Sequence, residues 1–285
     1  MALQRRRVVR VPASSANLGP GFDCFAAALD LQLELEVVET GTFAVVTDLE
    51  VERGRDNLVV RAFAELADPA SFEFRISSQI PLSGGLGSSA AAILAGVLAA
   101  DHLFELDADL LAVATRIEGH PDNVAAALLG GVVVCADGRA DRLPIPDDLE
   151  AVLLVPHAAV RTAEARAALP AEVPIGDAVA NIAHASLLVA GLTTRNHDLL
   201  ARGLQDALHQ DRRAHLFPQS HALLARANEF GALGATVSGA GPTVMFWCTI
   251  DQTSAVVQAL RAAADGWADV VRAPFAAVGA DVAAV

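Results

Sequence analysis

The chain contains no lysine, and its 20 basic side chains are all arginine. That absence excludes a lysine nucleophile or Schiff base and the lysine of a Walker-type phosphate loop. Any anion must be met by arginine, backbone N–H groups, a helix terminus or a metal. Cysteine is scarce as well. Cys24, Cys135 and Cys248 lie far apart with no C-x-x-C pair, which excludes a disulfide framework or a paired-cysteine zinc site and predicts reduced thiols in a cytoplasmic protein. Positive charge is in deficit: a net charge of -14 argues against a general nucleic-acid binder, whose affinity comes mostly from neutralising phosphates. Long apolar runs are missing too, because Gly, Arg, Asp and His interrupt each candidate, so no membrane span is expected. The opening "MALQRRRVVRVP" has no apolar stretch of signal-peptide type behind its arginines. Arg5 to Arg7 read as the exposed entry to a first strand, with anion binding as the lesser alternative.

What is present describes a globular chain. With 285 residues, 53% of them hydrophobic, there is room for one large domain or two ordinary ones around a sizeable core. "LQLELEVVE" sets Leu31, Leu33, Leu35 and Val37 against Gln32, Glu34 and Glu36, the period of a half-buried strand, and "FEFRIS" does the same with Phe72, Phe74 and Ile76. Between them "DNLVVRAFAELA" has helical spacing with Asp56 as its expected cap. "SSAAAILAGVLAADHLF" has almost no polar face and predicts a helix buried all round. Further helices are expected at about 107–118, from Asn123, and around 161–168, 176–192, 196–208 and 219–230; "GGVVVCA", "AVLLVP" and "TVMFWC" read as strands, and a helix–strand pair closes the chain. "RLPIPDD" is a turn and a fair domain boundary. Both halves are therefore α+β, with mixed sheets covered by helices.

Four stretches carry the chemistry. In "PLSGGLGSSAA", Pro81 to Ala91, the glycines Gly84, Gly85 and Gly87 allow positive φ and close approach. Ser88 and Ser89 then open a helix whose free N–H groups favour an anion, and a serine hydroxyl there can bind Mg²⁺ beside a phosphate. In "EGHPDN", Glu118 is a second metal ligand if the fold brings it to Ser88, while Asp122 or Asn123 also suits a plain helix cap. In "PASSANLGPGFD", an irregular loop ending in Asp23 suits an ammonium or hydroxyl of a small substrate, or is a long connection only. In "TVSGAGPTVMF", two glycines predict a backbone packed closely against a ligand or a neighbouring loop.

Together and in this order, across nearly the whole chain, these stretches resemble the GHMP small-molecule kinases. Pro81, Gly85, Leu86, Gly87, Ser88, Ser89, Ala90 and Ala91 occupy the fixed positions of that superfamily's "PxxxGLGSSAA" loop. "SANLGPGFD", "EGHPDNVAAALLGG", "RTAEARAALP" and "LHQDRRAHLFP" resemble its branch that phosphorylates L-homoserine with ATP in threonine biosynthesis. The resemblance implies a two-domain α+β architecture: an N-terminal domain like domain 2 of ribosomal protein S5 over 1–146, and a ferredoxin-like C-terminal domain over 147–285. It implies that Pro81, Gly84 to Gly87 and Ser88 to Ala91 wrap the triphosphate, that Asn57 touches adenine, and that Ser88 and Glu118 hold Mg²⁺. Asn17, Asp23, His120, Asp122, Asn123 and Thr162 would line the amino-acid pocket, with Asp23 on the ammonium and Arg166 and Arg213 on the carboxylate. Asn17, Asp23, Arg166 and Arg213 form the implied catalytic set, without a dedicated side-chain base. The implied partners are L-homoserine, no nucleic acid, no membrane, and a second copy in a homodimer. Asp211 and Arg212 depart from the expected Pro-Tyr before Arg213, which bears on the carboxylate clamp. Two alternatives are a GHMP kinase for a sugar or isoprenoid alcohol, against which the two arginines argue, and a non-catalytic nucleotide binder, against which Ser88 and Glu118 argue.

Overall fold

The computed structural model describes residues 5–82 and 84–284; Ser83 of the glycine-rich stretch lies outside the described residues. Two long antiparallel strands, β1 (Arg6–Ala16) and β2 (Phe25–Glu39), start the first sheet. The alternation in β2 is as expected: Leu33, Leu35 and Val37 are buried while the glutamates between them face outward. On that outer face Arg5 pairs with Glu39, Arg6 and Arg75 share Glu36, and Arg10 pairs with Glu34. Arg5 and Arg6 are thus neutralised across the ladder and do not form an open anion site.

β3 (Ala44–Thr47), β4 (Phe72–Ser78), β5 (Val132–Ala136) and β6 (Arg139–Leu143) extend this sheet, β4 and β5 both pairing with β2 at different heights. The second sheet is β7 (Leu149–Pro156), β8 (Gly234–Val237), β9 (Val244–Thr249) and β10 (Ala268–Ala273), in the order β10-β7-β9-β8. The chain then returns: β11 (Asp281–Ala284) pairs antiparallel with β1. The boundary near residue 147 falls between the two sheets, yet one cut there does not separate them. Neither β3 nor β6 nor β11 stands out in the sequence, each having only four or five residues and little alternation.

The helices are α1 (Leu58–Ala64), α2 (Ser88–Phe104), α3 (Leu110–Glu118), α4 (Asp122–Leu129), α5 (Thr162–Ala167), α6 (Ile175–Thr194), α7 (His197–Gly203), α8 (Pro218–Leu224) and α9 (Thr253–Ala263). α2 and α4 lie on β1 and β2, and α8 and α9 lie on the second sheet. α2 is buried on nearly every side, as its composition requires. Where an Asp56 cap was expected, Asn57 caps α1, its Oδ1 accepting from Val59 N at 3.0 Å. α3 starts at Leu110 under an Asp109 cap, and the helix expected over 219–230 splits into α8 and a 3-10 turn at Ala227–Phe230. The expectation that no segment reaches membrane-span length is corrected by α6, which has the length and composition for one. In the fold α6 packs on α7 instead, so closely that a Cβ added at Gly191 or Gly203 would lie 2.4 or 2.3 Å from backbone nitrogen of the other helix.

β7 is apolar on both faces, the pattern of a doubly covered strand. Ala151 and Leu153 join the core of the first sheet, while Val152 and Leu154 join a second core under α8 and α9. The core of the first sheet therefore takes residues from both halves of the chain.

Candidate active site

The glycine loop is fixed from two sides before it reaches α2. Ser14 N donates to Leu86 O at 3.2 Å, and Ser238 Oγ donates to Gly85 O at 2.7 Å. Gly85 and Gly87 have φ of +79° and +67°, a region L-residues rarely adopt. A Cβ on Gly85 would lie 2.4 Å from Ser238 O, and one on Gly87 would lie 2.1 Å from Ser14 Oγ. The close packing expected of the second glycine cluster is therefore against this loop. Among the described residues no side chain caps α2, so its first turn presents N–H groups beside the loop, the arrangement that binds phosphate without lysine.

A cavity of about 210 Å³ opens beside the loop, lined among others by Gly85, Ser88, Asp23, Thr162, Arg166 and Arg213. The loop after β1 reaches it through positive φ at Asn17, Leu18, Gly19 and Asp23. Asn17 was expected on the substrate. It lines the cavity, and its amide is engaged at both ends, donating to Gly239 O at 2.8 Å and accepting from Asp23 N at 3.0 Å. The Asp23 carboxylate accepts from Arg166 Nη1 and Nη2 at 2.9 and 2.8 Å. Thr162 and Arg166 share the short helix α5.

Arg213 is only 2% exposed and has no carboxylate hydrogen-bond partner among the described residues. Its Nε donates to Ala165 O at 2.9 Å, and Nη1 to Gly239 O at 3.2 Å. Burial, with Arg166 nearby, lowers its pKa to about 10, still a cation at neutral pH. The Phe22 ring stands between the arginines, 5.7 Å from Arg166 Cζ and 5.2 Å from Arg213 Cζ. Asp211 does not disturb this clamp: it points away to His221 at 2.8 Å, and Arg212 to Asp177 at 2.7 Å.

His120 Nδ1 lies 3.3 Å from the buried Asp122 carboxylate, whose pull raises the imidazole pKa against the effect of burial. Asp122 opens α4 with its Oδ1 on Asn123 N, and Asn123 Oδ1 accepts from Ser14 Oγ at 2.8 Å. Asn123 thereby joins the pocket wall to the glycine loop. Beside the expected pair of Ser88 and Glu118, the Ser89 hydroxyl donates to Glu118 Oε2 at 2.6 Å. Burial raises the Glu118 pKa. Among the described residues no three His, Cys, Asp or Glu side chains form a metal cage. One carboxylate and a hydroxyl fit Mg²⁺, which keeps waters and takes substrate phosphates as further ligands.

A second cavity of about 400 Å³ shares Ser88 and Ser89 with the first and is walled by Leu49, Val51, Leu58 and Ile76. Asn57 borders it, but its amide is used by the α1 cap and by Glu52 O at 2.6 Å. The three cysteines are free thiols, although Cys135 N donates to Cys24 O at 2.8 Å; Cys135 is pushed up to about 12 mainly by burial. Sequence reasoning missed Ser14, Phe22 and His209. Phe22 and Ser14 lie inside quoted motifs, and His209 precedes Arg213 by one helical turn, the spacing that could have marked it.

A fold of this kind, with a lysine-free glycine loop running into a buried helix beside a small charged pocket, defines a small-molecule kinase. The descriptions "GHMP kinases N terminal domain" and "GHMP kinases C terminal" match residues 57–131 and 187–268. The homoserine kinase of Gloeobacter violaceus is 42% identical over 88% of this chain and 91% of its own. The crystal structure of homoserine kinase from Cytophaga hutchinsonii superposes with a TM-score of 0.87 at 29% identity over 99% of both chains. A mevalonate kinase from L. major, 16% identical, shares the fold with a TM-score of 0.71 over 98% of this chain and 97% of that one. The chain belongs to the homoserine kinases within the GHMP family.

Proposed function

We propose that the protein transfers the γ-phosphoryl group of ATP to the side-chain hydroxyl of L-homoserine, giving O-phospho-L-homoserine for threonine biosynthesis in the cytoplasm. The observation that carries this reading is the charge pattern of the smaller cavity. Arg213 is a buried cation with no carboxylate partner among the described residues, beside an exchangeable Asp23–Arg166 pair. Two guanidinium groups and one carboxylate complement the carboxylate and ammonium of an amino acid, and a neutral alcohol offers nothing for the second guanidinium.

In this reading the triphosphate lies along Gly84 to Gly87 and the start of α2, with the base in the apolar second cavity. Ser89, Ser88 and Glu118 hold Mg²⁺, which supplies charge neutralisation on the phosphates when bound. Asp23 takes the ammonium, and Arg166 and Arg213 take the carboxylate. His120, Asp122 and Thr162 close the wall where the substrate hydroxyl would sit. Phosphoryl transfer depends mainly on positioning and charge stabilisation, so no side chain has to act as base, and the hydroxyl proton passes to the transferred phosphate.

The test is ADP release from Mg-ATP with L-homoserine, mevalonate, galactose and L-serine in parallel. Turnover with L-homoserine alone is expected. Turnover with mevalonate or galactose instead would move the protein to another GHMP branch, and ATP binding without any turnover would make it a nucleotide-binding protein.

A further inference from the structure

His209 belongs to none of the binding roles above, yet it is fully buried beside them. Its side chain is 0% exposed, and its ring lies 5.3 Å from that of Phe22. Nε2 stands 2.9 Å from Gly19 O, and Nδ1 stands 3.4 Å from Arg213 Nη1. A carbonyl only accepts and a guanidinium only donates, so the two contacts fix one tautomer: Nε2 carries the hydrogen and Nδ1 presents its lone pair to Arg213. We propose that His209 is a positioning residue, which holds the Arg213 guanidinium in register for the substrate carboxylate and ties it to the loop carrying Asp23.

The surrounding contacts support that role. The segment before Arg213 is set by Asp206, whose carboxylate accepts from Leu208, His209 and Gln210 N at 3.0, 2.8 and 2.7 Å. His209 O in turn accepts from Arg213 N at 3.2 Å. The imidazole is thus anchored from its own backbone and reaches Gly19, four residues before Asp23. With Nε fixed by Ala165 O, and Nη1 by Gly239 O and His209, Nη2 is the one guanidinium nitrogen with no hydrogen-bond partner among the described residues. That leaves one nitrogen pre-aimed for a ligand. A second proton on His209 would turn an N–H toward the guanidinium. Burial, reinforced by Arg213 and opposed by Asp206, Gly19 O and Asp23, holds its pKa below the ordinary imidazole value, so the neutral form persists at physiological pH.

The inference rests on Arg213 binding the substrate carboxylate, and the test separates the two. Steady-state kinetics and Tm are measured for wild type, H209Q, H209N, H209L, R213A and H209L/R213A with L-homoserine and Mg-ATP. Loss of a hydrogen bond to a charged group is expected to raise KM for L-homoserine about tenfold in H209L, with kcat and KM for ATP near wild type. H209Q offers an amide N–H to Gly19 O and an amide oxygen to Arg213, and is expected to recover most of the loss. H209N carries the same groups on too short a stem and is expected to behave like H209L, which keeps the test decisive if the leucine variant does not fold. In the R213A background, H209L is expected to add nothing. The same penalty with and without Arg213, or an unchanged KM in both H209L and H209N, would overturn the positioning role. R213A with an unaltered KM would instead overturn the carboxylate assignment.

Discussion

Asp23 and Arg166 satisfy each other through two hydrogen bonds, so in the proposed reading the amino acid exchanges with them. Their side chains are 37% and 42% exposed, and such a pair contributes only about 0–1 kcal/mol. Charge-assisted bonds from a zwitterion at the same two groups outweigh that loss. The pair therefore keeps the site preorganised at little cost to binding. Asp23→Asn is expected to raise KM for L-homoserine by roughly tenfold or more, since it removes the ammonium's counter-charge, while kcat changes less. A variant that keeps its KM and loses kcat would make Asp23 a transition-state participant, and the base-free mechanism would fall. This pairing spans 143 residues, which is why the sequence shows both groups as pocket candidates but not their mutual contact. The same limit applies to Ser88 and Ser89: adjacent residues of one type at a helix start differ only in direction, and only the three-dimensional position of Glu118 shows that Ser89 bonds it.

At the scale of elements, α1 and α2 cross at Gly96. A Cβ there would lie 2.2 Å from Val59 O and 2.9 Å from the Ala62 Cβ, so the crossing requires glycine. Gly96→Ala is expected to push α1 outward and destabilise the protein by about 1–3 kcal/mol, the usual range for overpacking. Because Asn57 and Leu58 at the start of α1 border the second cavity, KM for ATP is expected to rise while KM for L-homoserine stays unchanged. Thermal melting and steady-state kinetics check both; an unaltered KM for ATP would separate α1 from the nucleotide. α2 and β2 are legible in the sequence because one is apolar on nearly all sides and the other alternates over seven residues, Leu31 to Val37. β6, read "RADRL", has no apolar face and exists because β5 pairs with it across a hairpin. Asn57 displaces Asp56 as cap because both are capping residues and only the geometry of the turn selects one.

For the whole molecule, the strand order shows how the pocket is assembled. The first sheet supplies the glycine loop and Asp23, the segments around the second sheet supply Arg166, Arg213 and Gly239, and the shared core holds them in register. β11 adds to that rigidity by covering one edge of β1. Removing residues 281–285 leaves the β1 edge unpaired, and Tm is expected to fall by at least a few degrees with greater aggregation on heating. A calorimetric scan unchanged by the truncation would mean that β1 needs no such cover. The register that sets Arg7 against Ala284 has another effect. It sets residue 7 beside residue 284, so a short flexible linker joining those two positions can close the segment between them into a ring without moving the fold. New ends can then be opened at the exposed Asp137–Gly138 hairpin turn, whose residues do not line the pocket. In the order of synthesis, the active site would survive a rearranged gene.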